Sequence, residues 1–288
     1  MELKPQSINF CHISPTEYLP HFCVNRPFHL VLAHLIEQDD LYTEFYVQEK
    51  QRHETTIIMD NSAFEMYKQG REMYPSGKLI EMGSKIKADY IVMSDYPGQA
   101  SQVTIDKAIE MAPEIKAAGF GTFFVPQSEE GDLEDYLSAY EWAAENPELV
   151  DYIGVSILGA PLAYGVEKGN KLQRYFARYK VMVELEKRGI LERFFVNGQK
   201  IHMLGMVDGP NEVELMYMFH SDIDTWDSSA AVWLGLHGRT FDQSPTGLID
   251  GKFEKEVDFN HPLEDNPLNM QCVYDNIDYI DVLCEGGN

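Results

Sequence analysis

Asp60, Asp95 and Asp227 each close a short apolar run: Thr55 to Met59 precedes the first, Tyr90 to Ser94 the second, and Asp224-Thr225-Trp226 the third. A carboxylate at the end of a buried strand is costly to place unless a site uses it, so three arranged alike point to one shared pocket. A pair of carboxylates suits glycosidic chemistry, one attacking the anomeric carbon and the other serving the leaving group as acid and base. The competing use is structural, because Asp is a frequent helix N-cap in the loop after a parallel strand, and Asp60 and Asp95 both have that option.

The elements that must position these groups alternate along the chain. Apolar, β-branched runs at Phe28 to Leu35, Thr55 to Met59, Tyr90 to Met93, Gly121 to Val125, Tyr152 to Ile157, Ile201 to Met206 and Ile223 to Trp226 predict strands. Helical periodicity lies between them, most clearly from Val103 to Ala118, where Ile105, Ala108, Ile109, Ala112 and Ile115 share a face that Gly119 ends. Asp132 to Ala144 and Leu172 to Lys187 read the same way. Alternating strands and helices mean a parallel sheet, and no Gly-x-Gly-x-x-Gly or Walker loop marks a nucleotide-binding open sheet. The expectation is an α/β fold, a (β/α)8 TIM-type barrel with irregular terminal segments, forming a single domain over residues 1–288. In such a barrel the site is built at the carboxyl ends of the strands, which here offer Asp60, Asp95, Gln127, Ser156, Gly205 and Asp227, with Phe64, Leu204 and Trp226 as apolar neighbours. Neutral polar groups between apolar walls suit a flat heterocycle.

Charge and cysteines bound the partners. The chain carries a formal net charge of −24, which taken alone opposes a nucleic-acid partner. Its distribution is uneven: Lys168 to Lys200 holds nine basic and three acidic residues, leaving 14 basic against 44 acidic elsewhere. Lys171, Arg174 and Arg178 fall three and four apart on one helical face, either a solvated helix surface or a phosphate-tracking patch. Cys11, Cys23, Cys272 and Cys284 are too widely spaced for a cysteine zinc motif and read as free thiols. His34, His202 and His237 lie at no metal-ligand spacing, so a metallohydrolase barrel has little support. The polar start Met1 to Gln6 and the absence of a run of about 18 apolar residues predict neither a signal peptide nor a membrane span, hence a cytoplasmic protein.

Six segments, taken in order between Asp60 and Arg239, resemble the tRNA-guanine transglycosylase superfamily, and within it the DNA-modifying 7-deazaguanine (DpdA-like) branch of phages and bacteria. Asp60-Asn61-Ser62-Ala63-Phe64-Glu65 is similar to the family's Asp-Ser-Gly-Gly-Phe/Tyr-Gln; the resemblance makes Asp60 the general acid/base and Phe64 a stacking face for the base. Ser94-Asp95 and Val125-Pro126-Gln127 match the carboxylate and amide that read the base, and Tyr152 to Ile157, with Ser156, falls where the family has Ala-Ile-Gly-Gly-Leu. His202-Met203-Leu204-Gly205-Met206 resembles Tyr-Leu-Met-Gly-Val, the opposite apolar wall. Ile223 to Ser228 resembles Ile-Asp-Met-Phe-Asp-Cys, which makes Asp227 the nucleophile and Asp224 the structural member of that pair.

The departures also carry meaning. The zinc-binding Cys-x-Cys-x-x-Cys and His of tRNA-acting members have no counterpart, so no metal and no cofactor are expected. Ser62-Ala63 replace two glycines, Glu65 stands for an amide, and Tyr96-Pro97 follow Asp95 where the family has a cysteine. The resemblance therefore implies exchange of guanine in DNA for a free 7-deazaguanine base of the preQ0 type, through a covalent Asp227–glycosyl intermediate, with Lys171, Arg174, Arg178 and Arg239 against the nucleic acid. The alternatives are exchange in tRNA and a non-catalytic nucleic-acid-binding barrel. Monomer and homodimer are both left open.

Overall fold

Eight parallel strands form the sheet in this computed structural model, which describes residues 7–206, 209–241 and 257–285. They are β1 (Asn9–His12), β2 (Phe28–Leu32), β3 (Thr56–Asp60), β4 (Tyr90–Val92), β5 (Gly121–Phe124), β6 (Tyr152–Ser156), β7 (Lys200–Leu204) and β8 (Thr225–Ser228). Each strand from β2 to β7 pairs with the next, β7 pairs with β8, and β8 pairs with β1. No ladder joins β1 to β2, which are tied by the Leu30 N–H to Cys11 Sγ at 3.2 Å, so the barrel is nearly closed. This is the (β/α)8 TIM-type architecture that the strand and helix alternation predicts. The expected polar start, Met1 to Gln6, lies outside the described residues, as do residues 242–256 and 286–288; the described C-terminal part is not irregular as expected but ends in the helix Pro267–Cys284.

Two-residue periodicity sorts each strand into an inner and an outer face. Outward side chains such as Val31, Ile57, Met59, Ile91, Phe124, Ile153, Val155, Ile201 and Met203 pack under the helices. Inward ones, Cys11, Phe28, Leu30, Ile58, Val92, Phe123 and Tyr152, fill the barrel. Gly154 makes room there, since a Cβ on it would sit 2.8 Å from the Phe123 ring and 2.7 Å from Leu204 Cδ1. Because these side chains fill the interior, a ligand reaches the inward positions one layer higher, with Leu30 and Val125 of the inner cluster also lining the cavity. That layer holds Asp60, Ser156, Leu204 and Asp227.

The opposite end is built for cohesion. Asp89, Asp151 and Asp224 each stand just before a strand and accept the N–H of a residue beginning the preceding one, Ile57, Thr122 and Ile201, at 2.7, 2.8 and 2.9 Å. Lys50 and Lys116 neutralise the first two at 2.6 and 2.9 Å. Asp224 is thereby a structural residue, as its place in the Asp224/Asp227 pair suggested. The last helix, Pro267–Cys284, lies against the helix Ala230–Leu236, where Gly235 lets the Val273 backbone approach. Its Asp281 pairs with Arg26 at 2.7 Å and with His12 Nε2 at 3.2 Å, fastening the helix to the β1 side of the barrel. Cys11, Cys23, Cys272 and Cys284 are all free thiols.

Candidate active site

A cavity of about 620 Å³ opens at the carboxyl ends of the strands, and Asp60, Asp95, Gln127, Ser156, Leu204, Gly205 and Asp227 all line it. Phe64 reaches it from the helix Ala63–Gln69, half exposed, with the Lys68 ammonium 4.4 Å above its ring. The sequence thus assembles one pocket from six strand ends.

The turn after β3 has an unusual backbone. Ser62 adopts φ 57° and ψ 35°, left-handed values that a side chain normally disfavours and that the glycine of the resembling motif would take freely. His34 compensates, because its backbone N–H and its Nδ1 both meet Ser62 Oγ, at 3.1 and 2.9 Å. The Ser62 N–H in turn donates to Asp60 Oδ2 at 2.8 Å. The loop keeps the shape of a glycine turn and points the Asp60 carboxyl into the cavity. Burial, reinforced by the carboxylates of Glu65, Asp95 and Asp227, holds the Asp60 proton on well above the ordinary carboxylate range.

Asp95 sits between two amides. Asn61 Nδ2 donates to its Oδ1 at 2.8 Å and Gln127 Nε2 to its Oδ2 at 2.6 Å, while Asn61 also reaches the Met93 carbonyl at 2.6 Å. Burial raises Asp95 to about 6 even against those two bonds, which favour the charged form. A carboxylate can only accept, so the Gln127 amide must turn its NH₂ to Asp95; its Oε1 is then a buried acceptor with no partner. Ser156 Oγ accepts the Leu158 and Gly159 N–H groups, both at 3.1 Å, which leaves its hydroxyl hydrogen to donate. The polar edge of the pocket is rich in acceptors, with one hydroxyl donor beside them.

Asp227 is held differently from Asp60. Its Oδ1 accepts the Gly205 N–H at 3.0 Å and faces His202 Nε2 at 2.9 Å, and Oδ2 accepts no hydrogen bond among the described residues. Gly205 has φ +70°, and a Cβ there would meet Ile157 Cγ2 at 3.0 Å, so the turn that presents its N–H requires glycine.

Two expectations need correction. Arg178 does not face solvent: it is completely buried, bonded through Nε and Nη2 to the equally buried Glu212 at 2.7 and 2.5 Å, and through its remaining N–H groups to the carbonyls of Val155, Leu204 and Gly205. A guanidinium so enclosed cannot reach a phosphate; it ties the ends of β6 and β7 together beneath the pocket wall. Trp226 points outward from β8 under the helices, its Nε1 donating to the Gly205 carbonyl at 2.7 Å, and is no part of the pocket. Arg239 follows the helix Ala230–Leu236 and does not line the cavity. Of the four basic residues expected at nucleic acid, Arg174 lines the cavity and Lys171 begins the same helix, Lys171–Lys187.

Asn61, His34, Lys68 and His202 join the site without having been expected there. Asn61 adjoins Asp60 in the motif itself, and strand parity puts His202 on the inward face two residues before Leu204. Among the described residues no group of three or more His, Cys, Asp or Glu side chains is placed to hold a metal ion, and no helix is long and apolar enough to cross a membrane. Fold and site together define an α/β barrel with a carboxylate-rich pocket at its strand ends. No family model and no curated protein matches the chain.

Proposed function

We propose that the chain is a base-exchange transglycosylase that replaces guanine in DNA with a 7-deazaguanine base. The observation that carries this reading is the division between the two carboxylates: Asp60 is buried where the protonated form is favoured, while Asp227 is anchored through one oxygen and offers the other to the cavity. Two acids whose environments separate their roles are what glycosidic substitution needs. Asp227 Oδ2 attacks C1′ of the target nucleotide as the C1′–N9 bond breaks, and the Asp60 proton passes to the departing guanine. An incoming 7-deazaguanine gives its N9 proton to the Asp60 carboxylate, N9 bonds to C1′, and the Asp227 carboxylate leaves. Two inversions retain configuration, and one glycosidic bond replaces another, so no energy source enters.

The pocket edge fits the base class. Guanine-type rings present N1–H and a 2-amino group as donors, for which Asp95 and the Gln127 Oε1 are the acceptors, and O6 as an acceptor for the Ser156 hydroxyl. Phe64 at the mouth supplies a stacking face, and Arg174 and Lys68 give the rim of an otherwise acidic molecule positive charge for flanking phosphates. In a duplex the target must be flipped out, at a cost of a few kcal/mol. The test is release of labelled guanine from DNA in the presence of free 7-deazaguanine bases, with nucleoside mass spectrometry of the product. Incorporation into DNA supports the reading; exchange in tRNA alone transfers it to the tRNA branch, and no exchange in either leaves a binding barrel.

A further inference from the structure

Beneath Asp227 the barrel interior contains a polar chain that the reaction above does not use. His202 on β7, wholly buried, faces Asp227 Oδ1 through Nε2 at 2.9 Å and Thr225 Oγ1 through Nδ1 at 2.7 Å. Thr225 Oγ1 lies 3.2 Å from the Tyr152 hydroxyl. The rings of Phe28 and Phe123 stand edge-on to the imidazole, each with its centroid 5.6 Å away, and close the chain off from water. An ionised carboxylate only accepts, so Nε2 is the nitrogen that carries a proton toward Asp227. Burying an imidazole among aromatic rings in a barrel core is costly unless both nitrogens are bonded, and here both are.

We infer that His202 is a positioning residue for Asp227, assisting the second half of base exchange by stabilising the Asp227 carboxylate as it leaves C1′. The inference rests on the transglycosylase reading. With His202 and Gly205 both on Oδ1, the attacking atom is Oδ2; in the glycosyl ester Oδ1 is the carbonyl oxygen and Oδ2 the atom bound to C1′. When the incoming N9 takes C1′, the Oδ2–C1′ electron pair returns to the carboxylate, whose charge a hydrogen bond holds better than it holds an ester carbonyl. The His202 N–H therefore favours breakdown of the ester over its formation. Thr225 and Tyr152 fix the ring so that Nε2 faces upward.

The two half-reactions respond differently to loss of this bond. In His202→Phe, exchange should fall on the order of 10²-fold, the usual effect of removing one aimed donor. The fraction of enzyme carrying denaturation-resistant covalent DNA should rise at the same time. His202→Gln, which keeps an N–H near Oδ1, should stay within about tenfold of wild type, and Thr225→Val should fall between them. A collapsed barrel would lower exchange and adduct together, so the opposite movement of the two is the signature. A parallel fall in His202→Gln and Thr225→Val, or unchanged exchange in folded His202→Phe, overturns the inference while wild-type exchange keeps the parent reading. A wild type with neither exchange nor adduct overturns both. A far-downfield imidazole N–H resonance in wild type that shifts in Asp227→Asn supports the pairing independently of turnover; its absence counts against it.

Discussion

Replacing Asp95 by Asn should make the barrel respond less to alkalinity. Burial lifts this carboxyl from an ordinary 3.8 to about 6, so the folded protein binds the proton more tightly than the unfolded chain does. The sign follows from that: the stabilising effect of the protonated form is complete below 3.8 and is lost as pH rises through about 6. The interval of roughly two pKa units is worth about 3 kcal/mol, of which about 1.4 kcal/mol falls between pH 5 and pH 8. An amide cannot ionise, so Asp95→Asn should gain that amount on wild type across the same range, on top of a constant offset. The offset should be small, because Gln127 can turn its unpartnered Oε1 toward the new NH₂. Urea unfolding of both proteins at the two pH values gives the difference directly. A stability difference that does not change with pH would refute the placement of Asp95 as a buried carboxyl held against its charge. Base binding should weaken in the same variant, since a carboxylate acceptor has gone.

Other perturbations separate chemistry from architecture. Asp60→Asn should lower exchange by about 10²- to 10⁴-fold, the range for a lost general acid, and in wild type the rate should decline as pH rises through the elevated Asp60 value; steady-state exchange across pH checks both. Arg178→Ala should destabilise by about 3–5 kcal/mol, because it leaves Glu212 charged, buried and without its guanidinium; denaturant midpoints measure it. Replacing Lys171 and Arg174 together by Ala should weaken DNA binding across sequences and flatten the log–log salt dependence by about 0.9 for each duplex phosphate no longer neutralised, read by titration at several salt concentrations.

Strand ends were legible because apolar runs terminating in a polar residue are conspicuous: β3 to β8 fall within two residues of runs visible in the sequence, whereas the run Phe28 to Leu35 outlasts β2 by three residues that begin the helix Ala33–Gln38. β1 was not, since Asn9–His12 is short and contains no β-branched residue, and its inward Cys11 and outward Phe10 reveal their alternation only once neighbouring strands are in place. Arg178 shows where charge pattern misleads. It shares a helical face with Lys171 and Arg174, yet it also lies on the stripe of Ala177, Val181 and Leu185 that turns to the core, and its partner Glu212 comes from another element. Apolar periodicity outweighed charge spacing there. The Asn61 and Gln127 clamp on Asp95 and the His202 bond to Asp227 depend on pairings across strands, which no single segment encodes.

The nucleophilic carboxylate is the point on which base exchange stands. Wild-type protein quenched during guanine exchange with a DNA oligonucleotide, digested, and analysed by tandem mass spectrometry should yield a deoxyribosyl adduct on the peptide spanning Ile223 to Ser228, localised to Asp227, and Asp227→Ala should give neither adduct nor exchange. An adduct on Asp60, or exchange undiminished in Asp227→Ala, would contradict the assignment of the two carboxylates.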